Sequence, residues 1–305
     1  MKGNLFLCFL YSSCLFCLPC FSQSENFSGN SDAMFSEAIE RIVKLHSMKA
    51  NIRMNVFIDD DEFTAQGKCL EKALVAAPND IIRSKFRLDL TFPLSSNAGS
   101  ADVVNKMIVL CNSEQNRVWH YTSIENTTTQ NWINIESVVN AVKRSKKQHH
   151  IRSVGGMPGL GGMAGMLRGI KNGYDFTDPP EDSLLKGKTP LKIWKLKGRL
   201  GDRELKRLLD LLAWKEDRNT PYPSHLPVEV EIYLGKDDLF PYRIHYYNLP
   251  KKESKQRTPV MQLVFCDVLL NDSTEIPDYL FSTFGEKGGD TGSDITAQYI
   301  RSLGL

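Results

Sequence analysis

Residues 228–247 read VEVEIYLGKDDLFPYRIHYY. Val228, Val230, Ile232 and Leu234 alternate with Glu229, Glu231 and Tyr233, a period of two that fits a half-buried strand. Gly235–Lys236–Asp237–Asp238 supplies turn chemistry, and Tyr242, Ile244 and Tyr246 carry the alternation back. Two strands joined by so short a turn pair antiparallel. This hairpin sets the expectation for the whole chain: a sheet built by meander.

The same period appears on both sides. Upstream, Ile52, Met54, Val56 and Ile58 alternate with Arg53, Asn55 and Phe57, and Phe63 to Leu70 follows after Asp59–Asp60–Asp61–Glu62. Ile82, Phe86, Leu88, Leu90 and Phe92 share one strand face, with Arg83, Lys85, Arg87 and Asp89 on the other and Pro93 ending the run. Met107 to Cys111 and Arg117 to Tyr121 make a further pair about Asn112–Ser113–Glu114. Strands are also predicted at Leu191 to Leu200 and at Val260 to Leu270.

Helical spacing marks four places. Phe35, Ile39, Ile42 and Val43 predict a helix from Ser31 or Asp32 to about Met48, and Ile135, Val138, Val139 and Val142 a shorter one. Leu205, Leu208, Leu209 and Leu212 make a stripe behind Asp202, and Asp294 is placed to start a C-terminal helix. No βαβ alternation is present, which argues against a nucleotide-binding doubly wound sheet. The expected fold class is α+β, mainly β.

Lys2 and the apolar run Leu5 to Leu18, followed by Gln23–Ser24–Glu25, read as a signal peptide over residues 1–22, cut after Ser22. A polar leader (23–30) would precede a single domain at 31–305, placed in the periplasm. A lipid anchor is the competing reading, through Cys14, Cys17 or Cys20, but Pro19 before Cys20 and Tyr11 three before Cys14 fit a lipobox poorly. Cys69, Cys111 and Cys266 remain, with no zinc spacing; one disulfide among them is open. The net charge of +2 argues against nucleic acid as a partner, and the Lys143–Arg144 and Lys146–Lys147 pairs read as a solvated helix end.

A leading helix, a meander, VEVEIYLGKDDLFPYRIHYY and then QLVFCDVLLNDSTEIPDYLFSTF (262–284) occur in a recognisable order. The chain resembles the LolA/LolB-like superfamily of periplasmic lipoprotein carriers, in particular its larger bacterial relatives. Ile276–Pro277–Asp278–Tyr279–Leu280–Phe281 is similar to the family's closing IPxxxF element, and Trp119–His120–Tyr121 to its lWxY strand. The resemblance spans most of Met34 to Phe284, with extra material near 93–105 and 143–188. It implies an unclosed, strongly curved antiparallel sheet, a half-barrel, whose concave side is plugged by helices. It also implies a ligand of lipid or lipoprotein acyl chains and membrane-bound donor or acceptor proteins. An envelope-stress sensor or regulatory module on the same fold is the alternative.

Such a ligand needs an adaptable apolar cavity and no catalytic group. Ile52, Met54, Val56, Phe86, Leu88 and Leu90 are the candidate lining, with Trp119 and Tyr242 as stacking aromatics; plain core packing is the competing account of each. Gly155 to Ile170 reads GGMPGLGGMAGMLRGI, and Met157, Leu160, Met163, Met166 and Leu167 are candidates for a mobile flap. An ordinary glycine-rich insertion is the alternative there. Asp59–Asp60–Asp61–Glu62 lacks calcium-loop spacing, Asp237–Asp238 reads as turn chemistry, and His149–His150 lacks a metalloprotease glutamate. No nucleophile elbow or P-loop is present. No enzyme, cofactor or metal site is expected.

Overall fold

The structure is a computed structural model that describes residues 30–58, 61–73, 84–93, 104–124, 127–144, 161–186, 190–211, 226–248, 257–272, 274–282 and 292–302. The expected signal peptide, the leader up to 29, and most of the extra material near 93–105 lie outside these residues. So do 145–160 within the second insertion.

Two meanders meet at one seam. β1 (Ser47–Ile58), β2 (Asp61–Ala73), β3 (Ser84–Pro93), β4 (Val104–Asn112), β5 (Arg117–Ile124) and β6 (Thr127–Asn134) follow one another in the sheet. β9 (Leu191–Leu200), β10 (Glu229–Gly235), β11 (Pro241–Asn248) and β12 (Thr258–Leu270) form the second meander. β12 pairs antiparallel with β1, so that Ile52 faces Phe265 and Met54 faces Leu263. Short β7 (Tyr174–Asp175) and β8 (Glu181–Leu185) lie against β9, and β13 (Ser293–Asp294) runs parallel to β6. The result is one large, curved sheet that does not close.

Among the described residues five α-helices accompany it: α1 (Ser31–Val43), α2 (Ile135–Arg144), α3 (Gly162–Gly173), α4 (Asp202–Leu211) and α5 (Thr296–Ser302). Local chemistry starts them. Asn30 Oδ1 accepts from Ala33 N–H at the head of α1, Asn134 Oδ1 from Ser137 N–H at α2, and Asp294 Oδ1 from Thr296 N–H at α5. α1 ends at Val43, five residues before the expected Met48, because Ser47 onward is already paired with β2 and β12. Glu181–Leu185, within the extra material near 143–188, is an edge strand, and its sequence has no apolar alternation to reveal it.

Strand alternation gives the sheet two unlike faces. Met48, Ala50 and Ile52 of β1, Cys69 of β2, Phe86 and Leu90 of β3 and Val109 and Cys111 of β4 are buried together. They share one cluster with Leu196, Val230, Ile232, Ile244, Leu263 and Phe265 of the second meander. The helices join this same cluster, through Phe35, Ile39 and Ile42 of α1, Val138 of α2, Leu167 and Ile170 of α3 and Tyr299 of α5. The opposite face is mostly polar. It carries a small apolar cluster of Leu110, Trp119, Ile276 and Phe281, closed over by residues 276–281. Gly67 is required where β2 meets β3, since a Cβ there would lie 1.7 Å from the Asp89 carbonyl oxygen.

Candidate functional site

The helix-bearing face gathers most of the residues singled out by sequence. Ile52, Phe86 and Leu90 are buried in its cluster, and Met54, Leu88 and Tyr242 pack half-buried against it. Val56 lies on the same side of β1, opposite Met261 and Phe63 in register, and is half-buried. Trp119 is not with them: it sits in the second cluster on the far face, near Trp132 at 6.3 Å. Tyr242 is tied to its own turn, its hydroxyl donating to Asp238 Oδ2 at 2.7 Å.

Burial falls toward the Val56 end of this face on three adjacent strands, β12, β1 and β2, while Val230 of β10, in the same cross-strand row, stays fully buried. On β1 it runs from Met48, Ala50 and Ile52, all buried, to half-buried Met54 and Val56. On β12 it runs from buried Phe265 and Leu263 to half-buried Met261. On β2 the end residue Phe63 is 45% exposed, against 1% for Cys69. Met261, Val56 and Phe63 stand side by side across three strands. On these three strands the apolar surface therefore continues past the part that the described residues cover fully.

Of the five flap candidates, Met157 and Leu160 lie outside the described residues. Met163 and Leu167 are buried in α3 and Met166 is half-buried. The helix packs beside α1, and Lys171 Nζ reaches Asp32 Oδ2 at 3.1 Å as well as Ser36. Its head rests on a carboxylate that the sequence reading passed over. Glu71 Oε2 accepts from Met163 N–H at 2.9 Å, and Ser84 donates to the same carboxylate. Packing strips enough water from this half-buried side chain to push its pKa up to about 7, against the lowering effect of both hydrogen bonds. Glu71 alternates with Leu70 and Lys72 in an otherwise mixed strand, so only three-dimensional packing marks it.

The three cysteines among the described residues, Cys69, Cys111 and Cys266, are free. The register explains it for the buried pair: Cys69 faces Leu88 and Cys111 faces Phe86, so strand β3 stands between them with an offset of two residues. That separation is beyond disulfide reach. Burial pushes the Cys111 thiol up to about 12, and Cys69 also well up. Cys266 is exposed.

The far face carries two polar features. Glu231, 1% exposed, accepts from Lys195 at 2.9 Å, Arg257 at 2.8 Å and Tyr233 at 2.8 Å. These partners outweigh desolvation, which alone would raise it, and hold the carboxyl down near 2. A depression of about 360 Å³ lies under residues 275–280, lined by Lys49, Lys68, Leu70, Arg87 and Asp89 among others. Its cations are largely engaged, Lys49 with Asp272 and Arg87 with Asp89 and the Leu280 carbonyl. Lys72 and Lys85 both reach Asp278 Oδ1 at 3.2 Å, fastening the same segment down. Among the described residues, no group of three or more His, Cys, Asp or Glu is arranged to hold a metal. None of their helices is long and apolar enough to cross a membrane.

No family model and no curated protein matches the chain. Among solved structures it is similar to a DUF1329 family protein from Desulfovibrio piger, at 13% identity and TM-score 0.33, over 82% of this chain and 96% of that one. It is also similar to a domain named for outer membrane lipoprotein sorting from Vibrio parahaemolyticus, at 9% identity and TM-score 0.31, over 81% of this chain and 95% of that one. Both likenesses are too distant to bear on what this chain binds.

Proposed function

We propose that the protein is an exported, non-enzymatic binding protein that carries a hydrophobic ligand, a lipid or the acyl chains of a lipoprotein, in the periplasm. In this reading residues 1–22 are removed on export, and residues 31–305 act as one domain. The helices α1 and α3 plug the concave side of the sheet, and the ligand lies between them and the strands. The supporting observation is the burial gradient that ends in the half-exposed row Met261, Val56 and Phe63, with Met54 behind it. An apolar surface larger than its cover is where an acyl chain gains most from docking.

The energetics suit exchange rather than permanent storage. Each methylene withdrawn from water contributes about 0.8 kcal/mol, so chains of a dozen carbons gain roughly 10 kcal/mol gross. A bilayer offers the same chain about the same gain, so extraction and delivery nearly balance. Methionine at Met54, Met107, Met166 and Met261 suits the task, since its unbranched side chain repacks around unlike shapes.

The test is native mass spectrometry of protein purified from the periplasm, with lipid extraction of the same sample. Co-purifying acylated mass is expected, and it should disappear in Met54→Asp and Leu88→Asp variants that keep the wild-type circular dichroism spectrum. A clean apo mass, with no uptake of offered lipids or acylated peptides, would sink the carrier reading.

A further inference from the structure

Two cross-strand rows on the helix-bearing face change chemistry at the same place. One runs Ile52, Gly67, Leu90, Met107, Thr122, Thr129 from β1 to β6, and its neighbour runs Ala50, Cys69, Leu88, Val109, His120, Asn131. Both are apolar from β1 to β4 and turn to hydrogen-bonding side chains on β5 and β6. The next row reaches Val118 and Ile133, which are buried in one cluster with Val138 of α2. The outer two strands are therefore apolar where a helix packs on them and polar beside it.

The polar four sit at graded depth: His120, Thr122 and Asn131 are half-buried and Thr129 is exposed. Packing strips water from His120 and holds its pKa below the ordinary 6.5, so near neutral pH the ring offers one donor and one acceptor nitrogen. Thr122 adds a hydroxyl and Asn131 a carboxamide, each able to donate and to accept. Among the described residues, no hydrogen bond joins any of these four side chains to a neighbour.

We propose that this patch seats the head of the ligand, an uncharged group with hydroxyl or amide functions, while the attached acyl chain lies crosswise on the apolar strands. The inference rests on the carrier reading above and deepens it, from a hydrophobic ligand to an amphiphile held in one orientation. From β1 to β5 is four strand spacings, roughly 19 Å of floor for an extended chain. A bare hydrocarbon reaching β5 would cover His120 and Thr122 without satisfying them. A glycerol, sugar or peptide amide would instead exchange water for matched partners. Binding then discriminates at the head and tolerates variety along the chain, where half-buried Met107 repacks.

The experiment is isothermal titration calorimetry of the full chain, recovered from the periplasm and freed of lipid. Three probes share one lauroyl chain: monolauroylglycerol, an N-lauroyl dipeptide amide, and methyl laurate, which has no donor. One uncharged hydrogen bond changes affinity by about twofold to tenfold, so two should favour a hydroxyl or amide head over methyl laurate by at least about fivefold. Preference for the glycerol points to an acylglycerol or glycolipid, and preference for the amide to a lipidated peptide; either supports the head site. In His120→Leu/Thr122→Val, with the wild-type circular dichroism spectrum, the preference should fall to within about twofold of unity. Asn131→Leu, on the outer strand, should lower it by about threefold, and it carries the test if the double variant does not fold. Equal affinity of the wild type for all three probes, or a preference that survives in the folded variants, overturns the head site. Chain binding without head preference defeats this inference alone. If no probe binds, the carrier reading fails and this inference with it.

Discussion

Leu167 and Leu196 are both fully buried in the same cluster, one on α3 and one on β9. Replacing either by alanine deletes the same atoms, and a fully buried Leu→Ala change costs about 2.7–5.0 kcal/mol. Their positions differ in one respect that decides how much of this cost is seen. Leu196 lies in a strand paired with β10 on one side and β8 on the other, so it is exposed only when the sheet comes apart. Leu167 is on a helix joined to the sheet through few polar contacts, so it can be exposed by lifting α3 alone. Suppose that lifting costs about 2 kcal/mol, within the range of sub-global openings. Destabilising the docked helix beyond that value then changes nothing further, because the molecule populates the lifted state instead. The loss at Leu167 is therefore capped at about 2 kcal/mol, while Leu196→Ala shows its full cost. The capped variant should also show a smaller m-value, since its native state already exposes α3. Urea unfolding followed by tryptophan fluorescence, in lipid-free buffer, measures both quantities. Equal losses with unchanged m-values would show α3 to be an inseparable part of the core, and the adaptable-cover argument would be wrong.

Gly67→Ala should destabilise by more than 3 kcal/mol or abolish soluble expression, because the added carbon meets the backbone oxygen of Asp89 at 1.7 Å and neither strand can shift alone. Thermal unfolding of the purified variant checks this, and a wild-type midpoint refutes it. Glu231 has its folded pKa held down near 2, so the stability it adds is present above its ordinary value of 4.5 and lost as pH falls toward 2. Glu231→Gln should therefore flatten the acid limb of a stability profile and cost roughly 3 kcal/mol at neutral pH, where Lys195 and Arg257 lose their shared partner. Of Cys69, Cys111 and Cys266, only Cys266 should react with a thiol reagent in the native protein, and reduction should leave the mass unchanged. Reaction of a second thiol before unfolding counts against the register given for β2 to β4.

The fold was legible where side chains alternate. Val228 to Tyr247, Ile52 to Val56 and Phe86 to Phe92 carry a period of two that only a strand with one buried face satisfies, and all three are strands. Thr127–Asn134 escaped because TTTQNWIN shows no apolar alternation; its place comes from pairing with β5. The pairing of β1 with β12 escaped for a different reason, since nothing local at Ile52 records that its partner is Phe265. Candidate site residues were legible only as face members. Ile52, Met54, Leu88 and Tyr242 share one face, but Trp119 lies on the other, because counting alternation within one strand does not say how its face relates to that of a distant strand. Glu71 could not be read at all. Its significance arises from a helix that begins 92 residues later in the chain.

The seam between the two meanders has a consequence for how the chain is made. Met48 pairs with Leu270, and Val56 with Met261, so the middle of the sheet joins strands some two hundred residues apart. Contacts this distant in sequence make folding slow, on the scale of milliseconds to seconds, because a long loop must close before they form. Until β12 is in place, β1 and β11 are open edges with hydrophobic flanks, the kind of template on which chains aggregate. In a sheet of this topology the central seam stays unpaired until β12 has been made. That wait makes a chaperone that shields β1 a natural requirement for soluble expression.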